Sequence, residues 1–198
     1  MERFDLPEGW KSIKIGNTDY FHLIMGQSPP SSTYNTNGIG LPFFQGKAEF
    51  GELYPIPKKY CSAPYRIAEP NDILISVRAP VGPTNIANQK CAIGRGLAVI
   101  RCKEKVIPMF LLNALRSIEK DIAQSVQQQG GGFTAIKKEQ LADVKIPIPP
   151  LEEQKRIVAR IEELTKRVEE AKRIAKEALV ELETFTPALL AKAFRGEL

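Results

Sequence analysis

A polar loop with the sequence GQSPPSSTYNTNG, at residues 26–38, holds side chains that could hydrogen-bond to nucleic acid. Its hydroxyl and amide groups match the donors and acceptors of phosphates and base edges. The candidate contacts to base edges are Tyr34, Asn35 and Asn37, and the candidate contacts to phosphate are Ser31, Ser32 and Thr33. The loop contains too much Pro, Ser and Asn for a core, so it is either a contact loop or an ordinary surface loop.

Two further segments combine cations with polar or aromatic residues, as nucleic-acid surfaces do. FFQGKAEFG, at residues 43–51, supplies Gln45 and Lys47. KKYCSAPYR, at residues 58–66, supplies Lys58 and Lys59, although its two tyrosines could equally belong to a core.

A glutamine-rich tract, SVQQQGGGFTAIKK at residues 125–138, adds a third group of candidates. Glutamine can pair with adenine through two hydrogen bonds, and lysine suits phosphate. The residues predicted to contact nucleic acid here are Gln127, Gln128, Gln129, Phe133, Lys137 and Lys138. The alternative is a glycine-rich mobile loop without a target.

The charge distribution favours a polyanionic partner and the composition argues against catalysis. Residues 151–198 carry ten basic and ten acidic side chains, so the net charge of +5 belongs to residues 1–150. One histidine, no GxSxG motif and no paired carboxylate beside Asp72 or Asp143 leave no evident catalytic centre. The three cysteines show no CxxC spacing, so we expect no metal site.

The first 150 residues predict a mixed α and β domain. Short runs rich in β-branched or aromatic residues predict strands at 12–15, 41–44, 72–77, 84–87 and 97–101. Apolar residues at helical spacing predict one helix from Pro108 to Val126 and a short helix at 137–144. The prolines of KIPIPP predict a stiff extended bridge at 145–150, where we place the domain boundary.

Residues 151–198 predict a long helix with a coiled-coil seam, because apolar residues recur at alternating steps of four and three. The seam consists of Ile157, Ile161, Leu164, Val168, Ala171, Ala175, Ala178, Leu182 and Phe185. It spans about 42 Å and is large at both ends and small in the centre, so two copies fit each other antiparallel. The alternative is a helix folded back on its own domain. Thr186 and Pro187 predict either a short separate C-terminal helix or a kinked continuation.

No apolar run reaches the roughly 18 residues of a membrane span. MERFDLPEGW lacks the pattern of a secretory signal, so we expect a cytoplasmic protein.

Several stretches resemble the specificity subunits of type I restriction-modification systems: LPEGWKSIKIGN, NDILISVRAPVGPTNIANQKCAIGRGLAVIR, KIPIPPLEEQKRIVARIEEL and LLAKAFRGEL. The resemblance implies a target recognition domain that reads half of a bipartite site in double-stranded DNA. It also implies a spacer helix that docks methyltransferase subunits. Such chains are not enzymes; S-adenosylmethionine, ATP and Mg belong to the methyltransferase and restriction motor subunits. By this resemblance Arg78 and Arg95 lie in scaffold motifs and could orient backbone or phosphate.

This sequence departs from the usual family pattern, because it holds one recognition domain and one helix where the family usually has two of each. The departure predicts a half-length form that pairs as a homodimer and reads a palindromic split site. Three alternatives stay open: a truncated subunit, a single-domain subunit of a type II fused methyltransferase-nuclease, and a coiled-coil scaffold without DNA readout.

Overall fold

A computed structural model describes residues 6–127 and 135–196. The strands are β1 (Lys11–Lys14), β2 (Phe21–Met25), β3 (Tyr34–Asn35), β4 (Leu41–Phe44), β5 (Tyr60–Cys61), β6 (Ile67–Ala68), β7 (Ile73–Ser76), β8 (Thr84–Ile86), β9 (Cys91–Ile93), β10 (Leu97–Cys102) and β11 (Lys145–Ile148). The helices are α1 (Pro108–Ser117), α2 (Glu119–Gln127), α3 (Lys138–Asp143) and α4 (Leu151–Phe194), with 3-10 turns at Ser31–Thr33 and Lys47–Glu49. The chain divides into two compact units, Met1–Lys155 and Arg156–Leu198, which we call the N-terminal unit and the helical unit.

The N-terminal unit is built on two larger sheets and a two-stranded ribbon. One sheet has the order β2-β10-β7-β8 and is antiparallel throughout. The other has the order β3-β5-β4-β9-β6, in which β4 and β9 run parallel. The ribbon pairs β1 with β11 and sets Ile13 opposite Ile146.

The core lies where the sheets meet. Phe44 of β4, Leu74 of β7, Ile93 of β9 and Val99 of β10 belong to one buried cluster. Since β7 and β9 are buried along their whole length, they appear in the sequence as continuous apolar runs instead of alternating ones. The predicted mixed α and β fold is confirmed.

The predicted helix from Pro108 to Val126 is two helices in the structure. The first buries Phe110, Leu111 and Leu115 and ends at Ile118, whose φ of −109° and ψ of 12° are not helical. The Ser117 hydroxyl donates a hydrogen bond to the Ala114 carbonyl oxygen at 2.8 Å and competes there with the backbone ladder. The sequence does not reveal this break, because the helical spacing of apolar residues continues across it to Ile122, which is buried on the second helix.

Residues 145–148, predicted as an extended bridge, form strand β11. Pro147 is tolerated because β11 has a single neighbour, so its missing N–H breaks no central ladder. The domain boundary that we placed at residue 150 stays a prediction.

Helix α4 is continuous over 44 residues, about 66 Å at 1.5 Å per residue. Of the two alternatives predicted at Thr186 and Pro187, the structure has the continuation, because α4 passes through Pro187 to Phe194 instead of giving way to a separate short helix. Proline removes one backbone hydrogen bond, whereas the Ala and Leu residues that follow favour helix strongly. Within the described residues, no helix has both the length and the apolar character needed to cross a bilayer.

Candidate nucleic-acid interface

An open cleft of about 530 Å³ brings together three of the predicted contact residues. Gln45 and Lys47 line one side, and Arg78 lines it from a different segment. Lys47 and Arg78 are exposed and Gln45 is half-buried. Thirty or more residues separate the two segments, so the fold and not the local sequence creates this cluster.

The side of the cleft that carries Gln45 and Lys47 is held rigidly. The Glu49 carboxylate accepts hydrogen bonds from the backbone N–H groups of Gln45 (3.3 Å) and Gly46 (3.0 Å). A Cβ at Gly96 would overlap the Gln45 carbonyl oxygen, so only glycine permits this close approach. The turn is therefore preorganised before any ligand arrives.

Arg78 is fixed through its backbone while its side chain is exposed. Its carbonyl oxygen accepts a hydrogen bond from the Ser76 hydroxyl at 3.0 Å, and its backbone forms a bridge with Ala135. The neighbouring Val77 donates its N–H to Gly96 and accepts from Ile136. The Arg78 side chain is left exposed at the cleft, and the scaffold role that the resemblance implied for this motif stays a prediction.

The polar loop at 26–38 uses several of its predicted contact groups to hold its own shape. The Tyr34 hydroxyl donates to the Pro29 carbonyl oxygen at 2.6 Å, and its ring packs on Phe43 at 4.6 Å between centroids. The Asn35 side chain accepts from the N–H groups of Asn37 and Ile39 and donates to the Ile39 carbonyl oxygen. Both residues stay predicted contacts, but base-edge hydrogen bonds would compete with these internal ones.

The other predicted contact residues of that loop fall into two groups, one hydrogen-bonded within the fold and one exposed. Thr33 donates to the Pro30 carbonyl oxygen at 2.7 Å and lies 3.4 Å from the Cys61 sulfur. Ser31, Ser32 and Asn37 are exposed. These three are the predicted contact residues of the loop whose side chains are exposed.

The other lysines among the predicted contacts are exposed, and Lys58 reaches the 3-10 turn. Lys58 Nζ donates to the Ala48 carbonyl oxygen at 3.2 Å, which brings it to the 3-10 turn. Lys59 is exposed immediately before β5, and Lys137 and Lys138 are exposed at the start of α3. Of the predicted glutamine tract, Gln128, Gln129 and Phe133 lie outside the described residues, as does the side chain of Gln127.

Sequence reasoning missed the contacts that join the polar loop to the turn between β9 and β10. Ser28 Oγ accepts the Arg95 N–H at 3.0 Å and links the polar loop to the turn between β9 and β10. A Cβ at Gly26 would overlap the Gly94 carbonyl oxygen at the same junction. The pattern Gly-Arg-Gly at 94–96 was the available signal, because paired glycines mark close backbone approach.

Two carboxylates of the N-terminal unit are paired with basic side chains, and two of its thiols have their pKa raised by burial. Asp72, buried, accepts hydrogen bonds from Arg101 Nε (2.9 Å) and Nη2 (2.8 Å), which raises the pKa of the guanidinium. Asp143 pairs with Lys14 at 2.7 Å, and this hydrogen bond lowers the pKa of its carboxyl. Burial raises the pKa of Cys91 and of Cys102 to about 12. Among the described residues, no cluster of His, Cys, Asp or Glu could hold a metal ion.

The predicted seam of α4 is exposed over most of its length. Ile157 is half-buried, and Leu164, Val168, Leu182 and Phe185 expose 43%, 51%, 65% and 61% of their surface. Ion pairs along the helix stabilise it beside the seam, such as Arg173 with Glu170 and Glu177 at 2.7 and 2.6 Å. The helix therefore presents an apolar stripe about 42 Å long.

Comparisons with known proteins agree with this architecture. The family model for the type I restriction modification DNA specificity domain matches residues 7–179. The MjaX specificity subunit of Methanocaldococcus jannaschii, assigned to a putative type I restriction enzyme, is 51% identical over 168 residues, 83% of this chain and 39% of the relative. The EcoKI specificity subunit of Escherichia coli K12 is 27% identical over 213 aligned positions, covering 100% of this chain and 45% of that one.

Solved structures show the same fold. The HsdS subunit from Thermoanaerobacter tengcongensis is 48% identical with a TM-score of 0.81, and a chain of a type I R-M system is 49% identical with a TM-score of 0.84. Both cover 100% of this chain and 48% of the solved chain, so this chain spans about half the length of the relatives it matches. The predicted resemblance is confirmed: the chain belongs to the type I restriction modification DNA specificity domain family.

Proposed function

We propose that this chain is a DNA-recognition chain of a type I restriction enzyme and reads one half of a bipartite site in double-stranded DNA. The observation that carries the proposal is the cleft in which Gln45, Lys47 and Arg78 converge on a preorganised backbone. The similar chains are specificity subunits of type I restriction enzymes, which supports the assignment.

The cleft residues suit two different kinds of contact. Lys47 and Arg78 neutralise phosphates, which supplies affinity that falls with salt. Gln45 can offer its amide to an adenine edge through two hydrogen bonds, which supplies sequence preference. The exposed Ser31, Ser32 and Asn37 of the polar loop would add further contacts to the DNA.

The proposal assigns catalysis to partner subunits. Methyltransferase subunits would bring S-adenosylmethionine, and a restriction motor subunit would bring ATP and Mg. This chain would contribute the DNA contact and α4 as the docking element. Two copies would pair their α4 seams antiparallel and place two N-terminal units with two-fold symmetry.

The test is the salt dependence of binding to mixed-sequence duplex DNA, measured by fluorescence anisotropy. Each phosphate contact contributes about 0.9 to the slope of log K against log salt, so Lys47→Ala and Arg78→Ala should each lower the slope by about 0.9. Lys14→Ala is the matched control, because Lys14 lies on the separate ribbon and its ammonium group is paired with Asp143 of α3. Slopes in both cleft variants equal to that of the unmodified chain would contradict the proposal.

A further inference from the structure

The turn between β3 and β4, at residues 36–40, holds an exposed isoleucine. Ile39 exposes 60% of its surface, and none of the residues predicted to contact DNA includes it. Single exposed apolar side chains are common on protein surfaces and need no explanation by themselves. What distinguishes Ile39 is the number of interactions that fix its backbone.

One amide and two glycines fix this turn. Asn35 Oδ1 accepts the backbone N–H groups of Asn37 at 3.1 Å and Ile39 at 3.0 Å, and Asn35 Nδ2 donates to the Ile39 carbonyl oxygen at 2.8 Å. Gly38 and Gly40 have φ angles of +80° and +90°, which other residues rarely adopt. A Cβ at Gly40 would also overlap the backbone of β5. The turn is therefore ordered before any ligand binds.

Two side chains that this turn exposes match the two bases of an A·T pair. Asn37 carries an amide, which can bond to N6 and N7 of adenine together. Ile39 carries an apolar group, which can contact the methyl group of thymine. Both base features lie in the major groove, where an A·T pair is distinct from every other pair. The turn is thus suited to direct readout of that pair.

The turn lies close enough to the cleft for both to meet one half-site. Strand β4 directly follows the turn and ends immediately before the cleft residue Gln45. Its four residues extend about 13 Å at 3.3 Å each, which equals about four base pairs at 3.4 Å. The neighbouring strand β5 adds positive charge, because Lys59 directly precedes it and is exposed. The turn itself has no acidic residue, so its surroundings favour a polyanion.

We propose that Asn37 and Ile39 are specificity-determining residues that read the adenine and the thymine of one A·T pair, and that Asn35 positions them. This inference deepens the proposed function and rests on it. The amide of Asn35 shapes the turn, and its two neighbours make the contact.

The first test compares the base preferences of four forms of the chain, each used to select duplexes from a randomised library. They are the unmodified chain, Asn37→Ala, Ile39→Ala and the matched control Val180→Ala, which truncates an apolar side chain of α4 that is 53% exposed. The unmodified chain and the control should enrich the same motif. Asn37→Ala and Ile39→Ala should both relax the preference at one shared A·T position and keep the rest of the motif.

The second test removes the thymine methyl group from that position alone. Deoxyuridine in place of thymidine should weaken binding by the unmodified chain about fourfold, the effect expected when one methyl group loses its apolar contact. Ile39→Ala lacks the partner of that methyl group, so it should bind the two duplexes equally. Val180→Ala should show the same fourfold difference as the unmodified chain.

Several results would overturn the inference. Asn37→Ala and Ile39→Ala might relax different positions or none, or the unmodified chain and Ile39→Ala might respond equally to deoxyuridine. Loss of the whole motif in both variants would assign the turn a purely structural role. In each of these cases a motif enriched by the unmodified chain would still support the proposed function. If the unmodified chain enriches no motif, the proposed function fails and the inference fails with it.

Discussion

On the proposed pairing, the double substitution Leu164→Asp and Leu182→Asp in α4 should separate the dimer. In an antiparallel pair centred on Ala171, the order of the seam sets Leu182 opposite Ile161 of the second copy and Leu164 opposite Ala178. Both leucines are exposed in the single chain, by 43% and 65%. Dimerisation would remove this surface from water.

The size of the effect follows from those exposed fractions. Full burial of a leucine side chain contributes about 1.5–3 kcal/mol, and the two exposed fractions together equal about one leucine per chain. Two-fold symmetry doubles the loss to about 3–6 kcal/mol, a weakening of dimerisation by about 10²- to 10⁴-fold. Burial of the new carboxylates adds a further cost.

Light scattering over a concentration series measures the association directly. The unmodified chain should approach twice 22.1 kDa and the double variant should stay near one copy. Val180→Asp is the matched control, because Val180 is exposed by 53% on the opposite face of α4 and should leave the dimer intact. An unmodified chain that stays monomeric throughout, or a double variant that pairs as well as the unmodified chain, would refute the proposed seam.

Two further predictions concern the N-terminal unit. Asp72→Asn should lower the free energy of unfolding by about 2–4 kcal/mol, because it breaks the ion pair between the buried Asp72 and the partly exposed Arg101. Urea unfolding measures this change. Asp143→Asn is the control, because Asp143 is exposed and its replacement should barely move the urea midpoint. Cys91 and Cys102, with pKa values raised by burial to about 12, should resist iodoacetamide at pH 8 as read by mass spectrometry. The stability that the two protonated thiols contribute should be full below the unfolded thiol pKa of about 8.5 and should decline as the pH rises toward 12. A urea midpoint that is as high at pH 11 as at pH 8 would contradict the raised pKa values.

Strands with strong local signals could be predicted from the sequence. The apolar run at 73–76 and the aromatic pair at 43–44 are bounded by turn residues, and both are buried strands in the structure. Strand β2 at Phe21–Met25 was missed because its residues alternate weakly and include His22. This strand lies at a sheet edge because it pairs with β10, which is far away in the sequence. Local sequence patterns do not encode such a pairing.

The cleft could be predicted only residue by residue. Gln45 and Lys47 were expected from their chemistry and Arg78 from the family resemblance, but their convergence depends on the carbonyl contact at Gly96. Asn35 shows where chemistry alone misleads. Its amide was predicted to contact base edges, but in the fold it hydrogen-bonds to Ile39 and closes a turn. Side-chain type predicts what a residue can bond to, and tertiary contacts decide which partner it meets.

The central proposal is that two identical chains read a split DNA site. The most direct test is to let the unmodified chain select duplexes from a randomised library and to sequence the bound DNA. The account predicts two copies of one short motif in inverted orientation, separated by a fixed spacer of at most roughly 12 base pairs, because a 42 Å seam sets the span at 3.4 Å per pair. Enrichment of a single uninterrupted motif, or of no motif at all, would contradict it.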